Sequence, residues 1–363
     1  MDIKSLRNVG KSDLAITPLG FGGGTIGSPE VSNEASLETV AAAWACGVRY
    51  YDTAPWYGIG RSERRLGLAL SGIAERAEYR INTKVGKTLL PEPVRDEANK
   101  TLSPGGQVRT VRDSLSGFRV DFNYSHDRIM AQHHDSLQRL GLSSVDSLTI
   151  HDIDYGYHSQ EQLERHLDEL SRDGGGGAEA LENLREAGAI KAIGCGCNLE
   201  SRNADSWLGG EHEELCERIA DLVDLDFFVV AGAYTLLETR ALRRILPLCQ
   251  ERGIGVIAAA PYASGWLATQ SQSATYMYGP APSDIVARSQ RMRTICQDHD
   301  VPLAAAALQF TLAHPTVAAA IPGAKTAEET TQNRRHLDAV IPATVWKTFK
   351  AEGLLDPRAP TPA

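Results

Sequence analysis

Residues 48–63 read Val48-Arg49-Tyr50-Tyr51-Asp52-Thr53-Ala54-Pro55-Trp56-Tyr57-Gly58-Ile59-Gly60-Arg61-Ser62-Glu63. A short apolar run stops at an acid, a Pro- and Gly-rich turn follows, and a helix-like stretch over 61–71 begins at once. That is one strand–loop–helix unit, and the chain repeats it. Apolar strand candidates fall at 17–22, 48–53, 79–84, 146–151, 190–195, 226–231, 254–259 and 317–321. Helix candidates alternate with them near 34–46, 61–71, 125–140, 175–188, 211–221, 238–252, 303–313 and 326–338. Gly47, Gly141, Gly188 and Gly253 stand where helices should stop, as residues that accept a left-handed backbone. Runs such as Phe227-Phe228-Val229-Val230 and Val256-Ile257-Ala258-Ala259 are apolar throughout, which suits strands covered on both faces.

Eight such cycles predict an α/β chain closed into a (β/α)8 TIM barrel, one domain over residues 1–363. An open doubly wound sheet would need a G-x-G-x-x-G loop leading into a helix. Gly20-Phe21-Gly22-Gly23-Gly24 is glycine-rich without that spacing. The first residues read as an N-terminal hairpin at the barrel bottom. Residues 86–123 and 262–283 are long irregular loops after strands three and seven, on the face where barrel sites form. Residues 342–355 read as a C-terminal helix, and Gly174 to Gly177 as a flexible joint.

The 363 residues are 42% hydrophobic and carry a formal net charge of −9. An acidic balance without basic blocks argues against nucleic acid or an anionic membrane as partner. Val301 to Ala324 contains no Lys, Arg, Asp or Glu. Gln309, His314 and Pro315 interrupt it, so it predicts a buried helix (303–313) and a buried strand (317–321), not a membrane span. None of the six cysteines forms a C-x-x-C pair. Cys195 and Cys197 read as small buried thiols, and no metal site is expected. With no signal peptide in MDIKSLRNVG, the expectation is a cytoplasmic protein, monomeric or a homodimer.

Three strands end in chemistry. Asp52, Lys84 and His151 stand at strand ends, and Tyr57 follows five residues after Asp52. Singly, each has a bland reading: Asp52 a turn former, Tyr57 a packed loop aromatic, His151 a satisfied strand-end imidazole. Together they converge on one barrel mouth. A phenol with a pKa near 10 is a poor proton carrier at neutral pH unless a neighbouring ammonium favours the phenolate. Tyr57 is then the general acid/base, Lys84 its tuner, Asp52 the partner of Lys84, and His151 the group orienting the substrate oxygen.

These residues, with Thr83-Lys84-Val85-Gly86, Ser136-Leu137-Gln138-Arg139-Leu140-Gly141, Ile150-His151-Asp152 and Ile321-Pro322-Gly323-Ala324, resemble the aldo-keto reductase family over about residues 5 to 340. The resemblance implies a barrel that binds a nicotinamide cofactor without a Rossmann motif. It implies the catalytic tetrad Asp52, Tyr57, Lys84 and His151, with Trp56 beside the substrate. Cofactor contacts are implied at Gly24, Thr25, Asp52, Asn198, Pro261, Ser264, Gly323, Ala324, Lys325, Glu329 and Asn333. Asn198 would take the carboxamide and Asn333 the adenine. The Lys-Ser pair and later Arg that bind a 2′-phosphate in many members are replaced by Gly323, Ala324 and Glu329, which favours NAD. Lys325 keeps NADP possible. The usual ring that stacks on nicotinamide is missing, and Trp56, Tyr234 or Tyr262 would have to substitute.

Ala231-Gly232-Ala233-Tyr234, Ala260-Pro261-Tyr262-Ala263-Ser264-Gly265 and Pro302 to Phe310 resemble the aldose 1-dehydrogenase branch. That branch includes L-fucose, D-arabinose and L-galactose dehydrogenases and relatives acting on pyridoxal. The resemblance implies oxidation of a sugar hemiacetal to its lactone. The alternatives are an NADPH-dependent aldehyde or ketone reductase, a pyridoxal dehydrogenase, and a non-enzymatic nucleotide-binding β-subunit of the channel type.

Overall fold

The computed structural model describes residues 2–91, 100–102, 108–110, 117–171, 175–199, 211–269, 275–277 and 279–362. Eight parallel strands form one sheet: β1 (Phe21–Gly22), β2 (Tyr50–Asp52), β3 (Arg80–Val85), β4 (Ser147–Ile150), β5 (Ala192–Cys197), β6 (Phe227–Ala231), β7 (Gly255–Ala259) and β8 (Val317–Ile321). Each pairs with its neighbours in sequence, Tyr51 opposite Ile81 and Lys84 opposite Thr149. The seam between first and last strand closes through parallel bridges Leu19–Ala320 and Gly22–Gly323. The Gly20 N–H donates to the Ala320 carbonyl at 2.9 Å, and the Ala320 N–H to the Pro18 carbonyl at 2.9 Å.

Strand alternation sorts the side chains into two cores. Tyr50, Ala192, Phe227, Val229, Ile257, Ala319 and Ile321 fill the barrel interior with Val9, Leu14 and Ile16. Their neighbours Tyr51, Ile193, Phe228, Val230, Val256 and Ala320 face outward to the helices. The expected hairpin, Arg7–Asn8 paired with Ala15–Ile16, thereby closes the barrel bottom.

The outer layer holds α1 (Asn33–Ala45), α2 (Arg61–Ser71), α3 (His126–Leu140), α4 (Gln160–Leu170), α5 (Gly177–Glu186), α6 (Glu211–Leu222), α7 (Ile245–Arg252), α8 (Ser283–Gln297), α9 (Leu303–Thr311), α10 (Ala327–Asp338) and α11 (Ala343–Ala351). Gly47, Gly141, Gly188 and Gly253 all have positive φ, as their stopping role requires. Among the described residues three helices fall outside the eightfold cadence: α4, α8 and the expected C-terminal helix, α11. Ser159 and Gln162 form a capping box at the start of α4. The 86–123 stretch is not wholly irregular: Lys87–Pro91 pairs antiparallel with Phe118–Phe122. Parts of the 86–123 and 262–283 loops, and Gly174 of the expected joint, lie outside the described residues. Gly177 already belongs to α5. Among the described residues no helix is long and apolar enough to cross a membrane.

Candidate active site

β2 ends at Asp52, β3 carries Lys84 one residue before its end, and β4 stops one residue before His151. Tyr50 packs inside the barrel, so Asp52, two residues on, enters the interior one layer higher; Asn82 and Lys84 do so from β3. Lys84 Nζ donates to Asp52 Oδ2 at 2.6 Å and to the Thr53 carbonyl at 2.9 Å. Asn82 Nδ2 donates to Asp52 Oδ1 at 2.7 Å, and Asn82 Oδ1 accepts from the Ser147 and Thr149 hydroxyls at 2.9 and 3.0 Å. Asp52 and Lys84 are each 2% exposed. An ion pair so buried is tolerated because each partner has a further hydrogen bond, Lys84 to the Thr53 carbonyl and Asp52 from the Asn82 amide.

Tyr57 reaches the same wall from the turn after β2. Gly58, Ile59 and Gly60 have φ of +62°, +52° and +76°. A Cβ at Gly58 would lie 1.9 Å from the Gly27 carbonyl oxygen, so glycine alone fits there. Ser62 Oγ donates to the Gly23 carbonyl at 2.7 Å and lies 2.8 Å from Thr53 Oγ1, pinning the far end of the turn. Lys84 Nζ stands 4.7 Å from the Tyr57 ring centroid. The His151 ring meets the Tyr57 ring edge-on at 5.8 Å.

All four line a cavity of about 1180 Å³ that continues to Lys325, Glu329 and Asn333. Gly24, Thr25, Trp56, Asn198, Pro261, Ser264 and Gly323 also lie on its wall. Ala324 does not: its methyl is buried and its carbonyl accepts the Thr25 hydroxyl at 2.7 Å. Tyr234 is not a stacking ring either. The chain turns at Gly232 (φ +69°) and packs Tyr234 against Phe310 and His314 in the outer core. Tyr262 is on the wall, but its hydroxyl donates to Asn333 Oδ1 at 2.8 Å. Glu329 Oε2 accepts the Lys325 N–H at 2.6 Å, and its own N–H donates to Thr326 Oγ1, the cap of α10.

A second polar network adjoins His151. Lys87 pairs with Asp152, and Asn198 Nδ2 donates to Asp152 Oδ1 at 3.0 Å and to Asp154 Oδ2 at 2.7 Å. Two carboxylates thus fix which face of the Asn198 amide carries nitrogen. Burial alone would push the Asp152 carboxyl up. The charges of His151 and Lys87, with hydrogen bonds from Lys87 and Asn198, outweigh it and hold Asp152 well below the usual carboxylate range. Burial and then the Asp152 charge push Asp154 up to about 7. Asn82 carries a sequence signal: a polar residue two before Lys84 on a buried strand shares its face. Lys87 and Asp154 carry none, because the return of the loop brings them in.

Behind this network His158 Nε2 lies 3.0 Å from the Asp152 carbonyl, with its ring 4.6 Å from those of Phe122 and His166. Burial, then the neighbouring His166, pushes His158 down to about 4. An unfolded histidine titrates near 6.5. Stability present above that value is therefore lost as the pH falls from there toward the folded pKa. Between about pH 7 and about pH 5, urea midpoints for His158→Phe should show a loss smaller than wild type by on the order of 2 kcal/mol. An equal loss in both proteins would contradict the assignment.

The family model for the aldo/keto reductase family matches residues 18–352. Pyridoxal 4-dehydrogenase of Microbacterium luteolum is 36% identical over 96% of this chain and 97% of its own. D-threo-aldose 1-dehydrogenase of a Pseudomonas species is 34% identical over 96% of each chain. Among solved structures, the holo form of an aldo-keto reductase from Bacillus halodurans superposes with a TM-score of 0.68 at 22% identity, covering 97% of this chain and 96% of that one. A likeness so distant in sequence speaks for the barrel alone; the family match and these two relatives, each above 30% identity, carry the assignment. The chain belongs to the aldo/keto reductase family, oxidoreductases that act on CH–OH or carbonyl groups with a nicotinamide cofactor.

Proposed function

We propose that this enzyme oxidises an aldose, in its cyclic hemiacetal form, to the lactone with NAD. The observation that carries the reading is the buried Asp52–Lys84 pair set against the Tyr57 ring, with His151 across the same cavity. Both of these relatives, each above 30% identity, fit it chemically, since pyridoxal and aldoses each close to cyclic hemiacetals.

The residues present fit a nicotinamide dinucleotide. The cavity exceeds what one small substrate fills. A Cβ at Gly24 would meet nothing nearer than the Tyr57 ring, 4.0 Å away, and Ala231 and Ala259 leave the wall shallow. Asn198 would hold the nicotinamide end; Lys325, Glu329 and Asn333 would hold the adenosine end. When bound, the cofactor supplies the acceptor for the hydride leaving C1. Tyr57 takes the proton from the C1 hydroxyl. Lys84 favours its phenolate by charge, Asp52 fixes Lys84, and His151 orients the reacting oxygen.

A carboxylate at Glu329, with no cation at Gly323, disfavours a dianionic 2′-phosphate. Glu329→Arg should raise the NADP/NAD ratio of kcat/KM by about tenfold or more; no shift removes the reason for naming NAD. Six free thiols suit a reducing cytoplasm as the place of work. Initial rates at 340 nm test the function, with NAD or NADP against a panel of aldoses and pyridoxal, and NADPH against simple aldehydes. Turnover of simple aldehydes by NADPH alone would defeat the aldose reading in favour of a reductase.

A further inference from the structure

The wall beside His151 is more elaborate than proton transfer requires. Asp152 has a left-handed backbone (φ +54°), and its Oδ2 stands 3.5 Å from His151 Nε2. A non-glycine residue holds that conformation at an energetic cost, and it persists where the surroundings over-determine it. Here they are the Lys87 ion pair and the Asn198 hydrogen bond. Lys87 is itself caged, its Nζ 4.1 Å from the Trp56 ring centroid, 4.7 Å from Tyr157 and 5.0 Å from Phe122. Three aromatic faces help retain an ammonium that burial would otherwise penalise. A buried ion pair is a weak source of stability, since apolar replacements often serve as well. What this one achieves is a carboxylate kept ionised at a fixed place on the cavity wall.

A carboxylate has about four acceptor directions; Lys87 and Asn198 hydrogen-bond to two, and His151 Nε2 stands 3.5 Å from Oδ2 beside a third. Asp152 lines the cavity directly after the residue that meets the reacting oxygen. In an aldose hemiacetal the hydroxyl nearest the reacting one is on C2, since the ring oxygen has no hydrogen to donate. We propose that Asp152 accepts a hydrogen bond from that hydroxyl, so that the site selects polyhydroxylated rings. Lys87 and Asn198 are its positioning residues, and the Trp56 and Tyr157 rings pack against the carbon face of the sugar. The inference rests on the aldose reading above. It separates aldoses from pyridoxal, whose nearest other hydroxyl is a phenol one carbon further from the hemiacetal centre.

The test compares an aldose that wild type oxidises with its 2-deoxy counterpart, on the full chain with NAD. Wild type should favour the hydroxylated sugar by about 10–100-fold in kcat/KM, the range of a hydrogen bond to a charged group. Asp152→Asn should cut that preference at least about fivefold, whatever it does to absolute rates, and Lys87→Met should move it in the same direction. Calorimetric binding of the two sugars to the enzyme–NADH complex should lose its discrimination in parallel, independently of turnover. Wild type treating both sugars alike overturns the inference without any variant. So do variants that slow both sugars equally and keep the ratio, the mark of a merely structural role. A wild type that oxidises no aldose at all removes the aldose reading and this inference together, an outcome distinct from oxidation without discrimination.

Discussion

Tyr57→Phe is expected to lower kcat by about 10²–10⁴-fold while the dissociation constant for NAD stays within about threefold of wild type, because one positioned acid/base group supplies that much. Phenylalanine keeps the ring, and with it the 4.7 Å contact to Lys84 Nζ and the edge-on contact to His151. Only the hydroxyl goes, so the Asp52–Lys84 pair and the Gly58 turn remain supported. Initial rates at 340 nm and a fluorescence titration of cofactor measure the two halves of the prediction. A variant retaining more than about a tenth of wild-type kcat would end the proton-carrying role proposed for Tyr57.

Lys84→Met should cost in two separable ways. Removing the ammonium leaves the Asp52 carboxylate, 2% exposed, without its ionic partner, which costs about 3–5 kcal/mol of stability. The rate should fall as well, and the rise of kcat with pH should move to more alkaline pH, since the phenolate loses the cation that favours it. The double variant Asp52→Asn, Lys84→Met should recover most of the stability, because a neutral amide is cheaper to bury than an unpaired charge, and none of the rate. Urea unfolding and pH–rate profiles on the same preparations separate the effects. Recovery of rate in the double variant would mean that Lys84 is structural only.

The barrel and its three strand-end groups are legible in the sequence because they depend on local order. A strand ending at Asp52 places that acid at the barrel mouth whatever the loops do, and the same holds for Lys84 and His151. Helix α4 is missed for the converse reason. Matching one helix to each strand assigns its residues to a connection, although the Ser159–Gln162 capping box marks a start. Ala324 and Tyr234 are misplaced because turns decide them: the bend after β8 points a carbonyl, not a methyl, at Thr25, and Gly232 swings Tyr234 outward. Lys87 is illegible because its partners come from three places, Trp56, the Phe118–Phe122 strand and the segment after His151. No local pattern encodes that meeting.

The seam that joins Leu19 to Ala320 and Gly22 to Gly323 has a consequence for synthesis. One edge of the sheet is made first and its partner last, about 300 residues later. At roughly 5–20 residues per second the ribosome takes roughly 15–60 s to bridge that gap. Throughout it β1 and each newest strand are open edges, the kind on which chains pair wrongly. Shielding in that interval has to come from outside the finished barrel, and a message cut short before Ala320 yields a sheet that cannot close.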